Sequence, residues 1–345
     1  MKKMMITKIY SPKDIEEAAS ELKRGELIAF PTETVYGLGA DATNEQAVKR
    51  VYLAKGRPSD NPLIVTVSSV EMMKKYVSKI SKSAEQLILK YWPGPLTLIF
   101  KIKPGALSKV VTGGLSTAAF RMPANKVTRA LIEAAGVPIV GPSANSSGKP
   151  SPTTAQHVYH DMEGKIAGIV DNGPTTVGVE STIVDMSAKT PAILRPGAVT
   201  AEELASFLGE EIATDRHKVS EKEVPKAPGM KYKHYAPDAQ VLIVRKHDWQ
   251  AALKWASKQK EKVGVMAPSE VFNTNFPENC DKFDLGESVA TASQRLFAGL
   301  RYFDNINKVN WILAAGFPEK ELGTAYMNRL KKSAGDQFFA PEMID

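Results

Sequence analysis

The sequence predicts an α/β protein with a separate sheet in each of two domains. Apolar runs of strand length alternate with amphipathic helical stretches along most of the 345 residues, a length that suits about two domains. Up to residue 208 the strand candidates are numerous and unevenly spaced, which indicates a mixed sheet with helices. Beyond residue 240 strands alternate with helices, which indicates a small Rossmann-like parallel sheet.

A charged stretch separates these two regions. Residues 209–240 lose the apolar periodicity and are interrupted by Pro225, Pro228, Gly229 and Pro237. We therefore predict a first domain over 1–208, a linker over 209–240 and a second domain over 241–345.

Helix ends in the first domain carry clear signals. Residues 14–23 have helical apolar spacing and stop at Gly25, while Asn44 can cap a second helix that Gly56 and Pro58 end. Further helices are predicted at 83–91, 127–135 and 202–208, the last behind a capping box of Thr200 and Glu203, and in the second domain at 249–258, 289–302 and 324–333. Strands are predicted at 26–30, 63–67, 96–102, 117–121, 137–140, 166–170, 181–185, 192–195, 241–244, 263–266, 282–285 and 311–314.

Net charge, cysteine content and the length of apolar runs indicate what kind of partner and location this protein has. The net charge of +7 and the pI near 9.1 favour a polyanionic partner such as a nucleotide or RNA. The single cysteine, Cys280, cannot form an internal disulfide, and no Cys/His cluster has metal-ligand spacing, so no metal site built from protein side chains is predicted. With no signal-peptide pattern and no apolar run near the ~18 residues of a membrane span, we expect a cytoplasmic protein that does not enter a membrane.

Two glycine-rich stretches imitate nucleotide-binding motifs. Residues 37–42 fit G-x-G-x-x-A, but a polar loop separates them from the preceding strand, so a dinucleotide site is not predicted. Residues 141–149 imitate a P-loop, but their spacing is too long and Pro150 occupies the position of the magnesium-binding hydroxyl. A phosphate site in this chain must therefore be of another kind.

Polar groups at the ends of regular elements provide that alternative. Lys55 and Arg57 flank Gly56 at a helix end, where they either complement the helix dipole or clamp phosphate oxygens. Ser143 and Asn145 lie in a run of small hydrogen-bonding residues that is also compatible with simple turn chemistry.

The residues after that run strengthen the prediction of an anion site. Ser151 followed by Pro152 predicts a helix start, with backbone N–H groups directed at an anion. Arg121 and Arg195 are cations at strand exits, although a single such arginine is often a surface charge, and Ser181 and Thr182 also suit an ordinary strand. His157 and His160 lack the companions that a zinc site requires.

Taken in order, these motifs resemble the YrdC-like domain of the L-threonylcarbamoyl-AMP synthases. The matching stretches are FPTETVYGLG at 30–39, KGRP at 55–58, NPL at 61–63, WPGPLT at 92–97, RMP at 121–123, PSAN at 142–145, STI at 181–183 and LRPG at 194–197. PGMKYKHYAP at 228–237 and the region after it resemble the two-domain form of the family.

The resemblance implies a reaction and its partners. L-threonine, bicarbonate or CO₂, and ATP with Mg²⁺ would give L-threonylcarbamoyl-AMP and pyrophosphate, and the product would pass to the tRNA threonylcarbamoyl transferase machinery. The linker would fold over the nucleotide and cover the active site. The resemblance leaves direct tRNA binding open, and the net positive charge would allow weak binding to RNA.

The resemblance also implies roles for individual residues. The reacting phosphates and carbamate would meet Lys55, Arg57, Ser143 and Asn145. ATP would contact Arg57, Asn61, Thr117, Ser143, Ser151, Arg195 and Tyr235, with His234 nearby. L-threonine would contact Thr34, Thr66, Arg121, Gly141 and Ser181. Thr66 departs from the family pattern, which often has histidine at this position.

Two other functions fit part of the sequence. A non-catalytic binder of double-stranded RNA would use the same positive charge, but it would spread its cations over a broad surface. A transferase that uses carbamoyl phosphate would carry out carbamoyl transfer instead of threonine adenylation. The grouping of cations beside Ser/Thr-rich strand ends favours the nucleotide-dependent synthase.

Overall fold

The computed structural model describes residues 5–59, 61–214, 225–227, 235–273 and 275–344. The chain forms two compact units. The first consists of Met1–Ser147, Ser151–Thr176 and Glu180–Tyr232, and the second of Gly148–Pro150, Val177–Val179 and Lys233–Asp345. Two short segments from the amino-terminal part of the chain thus belong to the second unit, which local sequence signals do not predict. The boundaries at 208 and 240 stay a prediction.

The first unit is built on a mixed sheet, as the sequence predicts. Its strands are β1 Lys8–Tyr10, β2 Ile28–Phe30, β3 Gly37–Asp41, β4 Ile64–Thr66, β5 Leu96–Lys101, β6 Thr117–Arg121, β7 Ile139–Val140, β8 Gly168–Val170, β9 Thr182–Asp185, β10 Ala192–Arg195 and β11 Ala213–Thr214. Their order is β1-β8-β2-β3-β7-β4-β6-β5-β9-β10-β11. The sheet contains both parallel pairs, such as β4 with β6, and antiparallel pairs, such as β5 with β6.

Helices pack on both faces of this sheet. They are α1 Ile15–Lys23, α2 Glu45–Lys55, α3 Val70–Lys74, α4 Lys82–Tyr91, α5 Lys109–Thr112, α6 Lys126–Ala135, α7 Ala155–Met162 and α8 Ala201–Leu208. One core joins Leu22 of α1 and Leu131 of α6 to Ile28 and Phe30 of the sheet. The larger core, on the opposite face, includes residues of α2, α4 and α7. The predicted capping box of Thr200 and Glu203 is confirmed at the start of α8.

Apolar spacing alone does not predict β3, because glycines occupy alternate positions in it. The ring of Phe30 lies across Gly37, where a Cβ would come 2.4 Å from Phe30 Cζ. At Gly39 a Cβ would come 2.8 Å from the Ile28 carbonyl oxygen. Glycine is therefore required for β2 and β3 to approach this closely, and the same glycines weaken the strand signal in the sequence.

The second unit contains the predicted parallel sheet. Its strands are β12 Gln240–Val244, β13 Val263–Ala267, β14 Cys280–Asp284 and β15 Trp311–Ala315, and its helices are α9 Trp249–Ser257, α10 Ser269–Phe272, α11 Val289–Arg301 and α12 Leu322–Ala334. All strand pairs are parallel, in the order β12-β15-β13-β14. The last strand thus lies between the first two. Within the described ranges, every helix is too short or too polar to span a bilayer.

Candidate active site

One half of a sheet face in the first unit carries most of the predicted threonine-binding residues. The register aligns Thr66 of β4 with Arg121 of β6, and Thr97 of β5 with Ile183 of β9. Since side chains alternate between faces along a strand, Thr66, Arg121 and Thr97 share a face with Ser181. α1 and α6 cover the other half of this face, around Ile28 and Phe30. The polar half therefore remains for a ligand site.

Arg121 is the buried centre of this polar half. Its Nη1 donates to Thr34 Oγ1 at 2.8 Å, its Nη2 donates to Glu33 Oε1 at 2.6 Å, and its Nε donates to the Gly94 carbonyl oxygen at 3.3 Å. Only 8% of Arg121 is exposed. The other carboxylate oxygen of Glu33 accepts a hydrogen bond from the Ala124 amide at 3.1 Å, so the acidic partner is itself fixed. The plane of the guanidinium is thereby set before any ligand arrives.

The loop that carries Thr34 is held from within. Thr32 Oγ1 accepts hydrogen bonds from the backbone amides of Thr34 and Val35, and donates to the Val35 carbonyl oxygen at 2.6 Å. Tyr36 is fully buried and donates its hydroxyl hydrogen to the Gly173 carbonyl oxygen at 2.7 Å. Burial raises the pKa of Tyr36 well above its ordinary value, so its hydroxyl remains protonated and keeps this role as donor.

A second polar network surrounds Ser181. Its hydroxyl lies 2.7 Å from Thr97 Oγ1 and accepts a hydrogen bond from Arg195 Nη2 at 3.1 Å. Arg195 Nε also donates to the Ser181 carbonyl oxygen at 3.1 Å. At Gly197 a Cβ would come 2.2 Å from the Thr182 amide nitrogen, so only glycine allows the chain after β10 to lie against the start of β9.

Thr66 and Gly141 meet on the same face. A Cβ at position 141 would lie 2.5 Å from Thr66 Oγ1 and 3.0 Å from Phe30 Cζ. The Gly141 amide donates to the Ile64 carbonyl oxygen at 2.8 Å, which fixes the strand exit beside β4. The lack of a side chain at 141 thus leaves space for the hydroxyl of Thr66.

Lys55 connects the end of α2 to the loop at 143–145. Its ammonium donates to the Ser143 carbonyl oxygen and, at 2.7 Å, to the Asn145 carbonyl oxygen. Gly56 ends α2 in the left-handed conformation, with φ of 62°, as predicted. The structure brings Lys55, Ser143 and Asn145 together, with the lysine acting on the backbone of the loop.

Arg57 and Asn61 lie in the turn between α2 and β4. Arg57 Nη2 is 3.4 Å from the carbonyl oxygens of both Asn61 and Pro62. Asn61 is fully buried, and neither polar atom of its side chain has a hydrogen-bond partner among the described residues. Buried amides normally have hydrogen-bond partners, so this side chain retains hydrogen-bonding capacity for a water molecule or a ligand.

Two of the predicted ATP contacts lie far along the sheet or in the other unit. Thr117 begins β6 and Arg121 ends it, which places them about 13 Å apart at the usual rise of a strand. Tyr235 belongs to the second unit, where its ring centroid lies 5.1 Å from that of Phe297 and its backbone is left-handed, with φ of 67°. His234 lies outside the described residues.

The predicted helix start at Ser151 and Pro152 is wrong. α7 begins at Ala155, and its N-cap is Thr154, whose side chain accepts a hydrogen bond from the His157 amide. Ser151 instead donates its hydroxyl hydrogen to Glu180 Oε1 at 2.5 Å, and both residues are buried. A long-range carboxylate partner therefore replaces the predicted capping role of this serine.

Part of the linker packs on the sheet face that carries the site. Ala227 is fully buried in an apolar cluster with Ile64, Ile99, Ala119, Ile183 and Leu194. Its neighbour Lys226 forms an ion pair with Asp185 at 3.2 Å. The described linker residues of the first unit thus lie against the floor between the threonine-binding end and the Thr117 end of the face.

Sequence reasoning missed three residues that organise the site: Glu33, Thr97 and Glu180. Glu33 and Glu180 each precede a predicted threonine-binding residue, so an acidic residue inside a motif of small polar residues was the available signal. Within the described residues, no group of three or more His, Cys, Asp or Glu side chains could hold a metal ion.

Comparisons with known proteins cover both units. A family model described as telomere recombination, for Sua5, YciO and YrdC proteins, matches residues 20–197. A second model, described as threonylcarbamoyl-AMP synthase, C-terminal domain, matches residues 199–335.

Curated and solved relatives are similar over nearly the whole chain. The threonylcarbamoyl-AMP synthase of Bacillus subtilis is 46% identical over 326 residues, which cover 93% of each chain. That of Pyrococcus abyssi is 44% identical over 327 residues, which cover 93% of this chain and 94% of the relative. A crystal structure of P. abyssi Sua5 complexed with L-threonine has a TM-score of 0.89 and 43% identity, and the match covers 96% of this chain and 99% of that one.

The contact between positions 66 and 141 can be tested by a pair of substitutions. Gly141→Ala should destabilise the protein by about 1–3 kcal/mol, because its Cβ would overlap Thr66 Oγ1. Adding Thr66→Ala removes that oxygen and should recover at least half of the loss. Urea unfolding of the single and double variants measures the coupling, and strictly additive effects would contradict the contact.

Proposed function

The chain belongs to the threonylcarbamoyl-AMP synthase family, and from this membership we propose how its residues bind L-threonine and ATP. Membership confirms the resemblance found in the sequence. It also decides against a non-catalytic RNA binder and against a carbamoyl-phosphate transferase. The cytoplasmic location and weak RNA binding stay predictions.

The hydrogen-bond inventory of Arg121 is the observation that supports the threonine site best. A guanidinium has five N–H groups. Three of those on Arg121 are directed at Thr34, Glu33 and Gly94, which leaves one N–H on each Nη nitrogen without a partner among the described residues. Two such groups are the number that a carboxylate takes in a bidentate contact. We assign the carboxylate of L-threonine to them.

The remaining threonine contacts follow from the same sheet face. Thr34, Thr66 and Ser181 supply hydroxyl groups around Arg121, and Gly141 supplies a surface without a side chain. The relative from P. abyssi was crystallised with L-threonine, which supports assigning this amino acid to the corresponding face here. Thr66 is shorter than the histidine that the family often has, so its hydrogen bond has a shorter reach.

ATP would lie along the face between the two ends of β6. Its contacts would be Arg57, Asn61, Thr117, Ser143, Ser151, Arg195 and Tyr235. Thr117 stands at the far end of β6 from Arg121, and Ala227 of the linker packs on the floor between them, so a nucleotide that contacts both ends would pass over or displace that linker residue. The buried amide of Asn61 supports a ligand in this region.

The chemistry requires a carbamate and then its adenylation. The neutral amine of threonine forms a bond to the carbon of CO₂ and releases one proton to solvent, which gives the carbamate. With bicarbonate, hydroxide leaves that carbon and takes up the proton as water. A carbamate oxygen then forms a bond to the α-phosphorus, and the bond from that phosphorus to the bridging oxygen breaks with its electron pair on pyrophosphate. Arg57 would stabilise charge on the phosphate oxygens in this step.

Lys55, Ser143 and Asn145 would complete the reacting centre. The Lys55 ammonium holds the loop carbonyls, so its part is to fix Ser143 and Asn145 where the carbamate and phosphates meet. A Mg²⁺ ion bound to the triphosphate would supply further charge neutralisation there. The product would then go to the machinery that modifies tRNA.

Incubation of the purified protein with ATP, Mg²⁺, bicarbonate and radiolabelled threonine tests the proposed function. We expect a labelled adenylate on chromatography and release of pyrophosphate. Arg57→Ala should abolish both, because the cation on the phosphates is lost, while its circular dichroism spectrum stays that of the parent. An unchanged yield from this variant would remove Arg57 from the proposed site.

Arg121→Lys separates the threonine site from the ATP site. Lysine keeps the charge but loses the planar fork, so KM for threonine should rise about 10- to 100-fold, consistent with about 1.5–3 kcal/mol for a charged hydrogen bond. KM for ATP should change little. Arg50→Lys, in a partly exposed ion pair with Glu26, is the matched control and should behave as the parent. A larger effect on ATP than on threonine would contradict the assignment.

Competing amino acids probe the pocket around Thr66 and Ser181. Valine lacks the hydroxyl and should be rejected by ~10⁴-fold or more in kcat/KM, because it leaves buried polar groups without partners. Serine lacks only a methyl group, which corresponds to about 1–3 kcal/mol, so it should be a weak substrate. Pyrophosphate release at matched concentrations gives both ratios, and equal turnover of serine and threonine is incompatible with this pocket.

A further inference from the structure

One face of α11 holds three short segments of the second unit. Residues 294, 297 and 301 of α11 and residue 304 of the following π-helical turn, Tyr302–Ile306, are spaced by three, four and three positions. Side chains at such spacings lie on one side of a helix. The three segments are 148–150, 177–179 and the start of the carboxy-terminal part of the unit at 235–238.

Arg301 holds the first segment at its end. It is the last residue of α11, is 2% exposed, and donates to the Pro150 carbonyl oxygen from Nε at 3.1 Å and from Nη2 at 2.7 Å. A buried guanidinium that donates twice to one carbonyl fixes both the position and the direction of that peptide group. Pro150 is followed directly by Ser151.

Asp304 reinforces the same segment through Lys149. Asp304 Oδ2 accepts from Lys149 Nζ at 3.0 Å, and Asp304 Oδ1 accepts from the Asp238 amide at 2.6 Å. Asp238 Oδ1 also accepts from Lys149 Nζ at 2.6 Å. Burial lowers the pKa of Lys149, but its hydrogen bonds to Asp238 and Asp304 outweigh burial and raise it above its ordinary value. Lys149 is therefore charged at neutral pH.

The other two segments meet the middle of the helix. Gly178, with φ of 80°, lies so close to α11 that a Cβ would come 2.3 Å from Gln294 Cα and 2.5 Å from the Gln294 carbonyl oxygen. The Tyr235 ring packs on Phe297. The Ala236 amide donates to the Gly148 carbonyl oxygen at 2.9 Å, which joins the first and third segments.

Each segment is part of the proposed site or is covalently continuous with it. Pro150 precedes Ser151, Val179 precedes Glu180 and Ser181, and Tyr235 is itself a proposed ATP contact. We propose that this face of α11 positions Ser151, Ser181 and Tyr235 for their ligands, with Arg301 and Lys149 as positioning residues for the ATP contact at Ser151. The inference rests on the proposed function and gives the carboxy-terminal unit a role in substrate affinity.

The segments can be perturbed one at a time. Arg301→Lys and Lys149→Met both loosen the segment before Ser151, so each should raise KM and the dissociation constant for ATP about tenfold or more, since displacements near 1 Å have large effects at reacting centres. KM for threonine should stay within about twofold. Gly178→Ala should do the reverse and act mainly on threonine, through Ser181. Lys149→Arg keeps the contact with Asp304 and should restore the affinity for ATP.

Lys331→Met is the matched control, since it removes a lysine from an ion pair with Glu319 in the same unit. It should leave both KM values unchanged. A purely structural role for Arg301 and Lys149 would lower the active fraction and kcat without this separation between substrates. If Arg301→Lys does not fold, Lys149→Met and Lys149→Arg carry the same comparison, because the Lys149 side chain is one-third exposed.

Calorimetric binding of ATP distinguishes this proposal from the proposed function. If the parent forms no adenylate but binds ATP, and Lys149→Met weakens that binding, the positioning role stands and the proposed function fails. If the parent forms the adenylate and Lys149→Met binds ATP as tightly as the parent, the positioning role is overturned. Absence of ATP binding by the parent would overturn both.

Discussion

A buried guanidinium needs hydrogen-bond acceptors, because an unpaired charge in the interior is costly. The first unit supplies such acceptors around Arg121, which is buried on a face of the sheet. Breaking a buried charge pair by removing one partner costs about 3–5 kcal/mol. The loop after β2 supplies Glu33 and Thr34, and the turn before β5 supplies the Gly94 carbonyl. Because these acceptors come from segments distant in sequence, satisfying one charge fixes the relative positions of three parts of the unit.

Glycine positions are as important to this site as the polar side chains. Gly37 and Gly39 let the Phe30 ring and the β2 backbone approach β3, and Gly141 leaves room for the Thr66 hydroxyl. Gly197 brings the end of β10 against the start of β9, where Arg195 reaches Ser181. The absence of side chains at these glycines therefore allows the close backbone approach that brings the polar side chains of this face together.

The second unit fixes short chain segments through contacts with one helix. Its helix α11 contacts segments that lie some 115–155 residues earlier in the chain, among them Pro150 and Gly178. Such contacts restrict segments that would otherwise lose considerable entropy on binding a ligand. Through α11 the second unit thus fixes short segments that are covalently continuous with Ser151 and Glu180.

By itself the sequence determined the class of fold, most helices and strands, and the ordered motifs that identify the family, because apolar periodicity, caps and short motifs are local properties. Tertiary structure alone decided that Glu33 pairs with Arg121, that Glu180 pairs with Ser151, and that β15 lies between β12 and β13. It also decided that α7 starts at Ala155, because the Ser151 hydroxyl donates to the Glu180 carboxylate and does not cap a helix. These outcomes depend on which buried polar groups find partners across long stretches of chain, and no local window of sequence contains both members of such a pair.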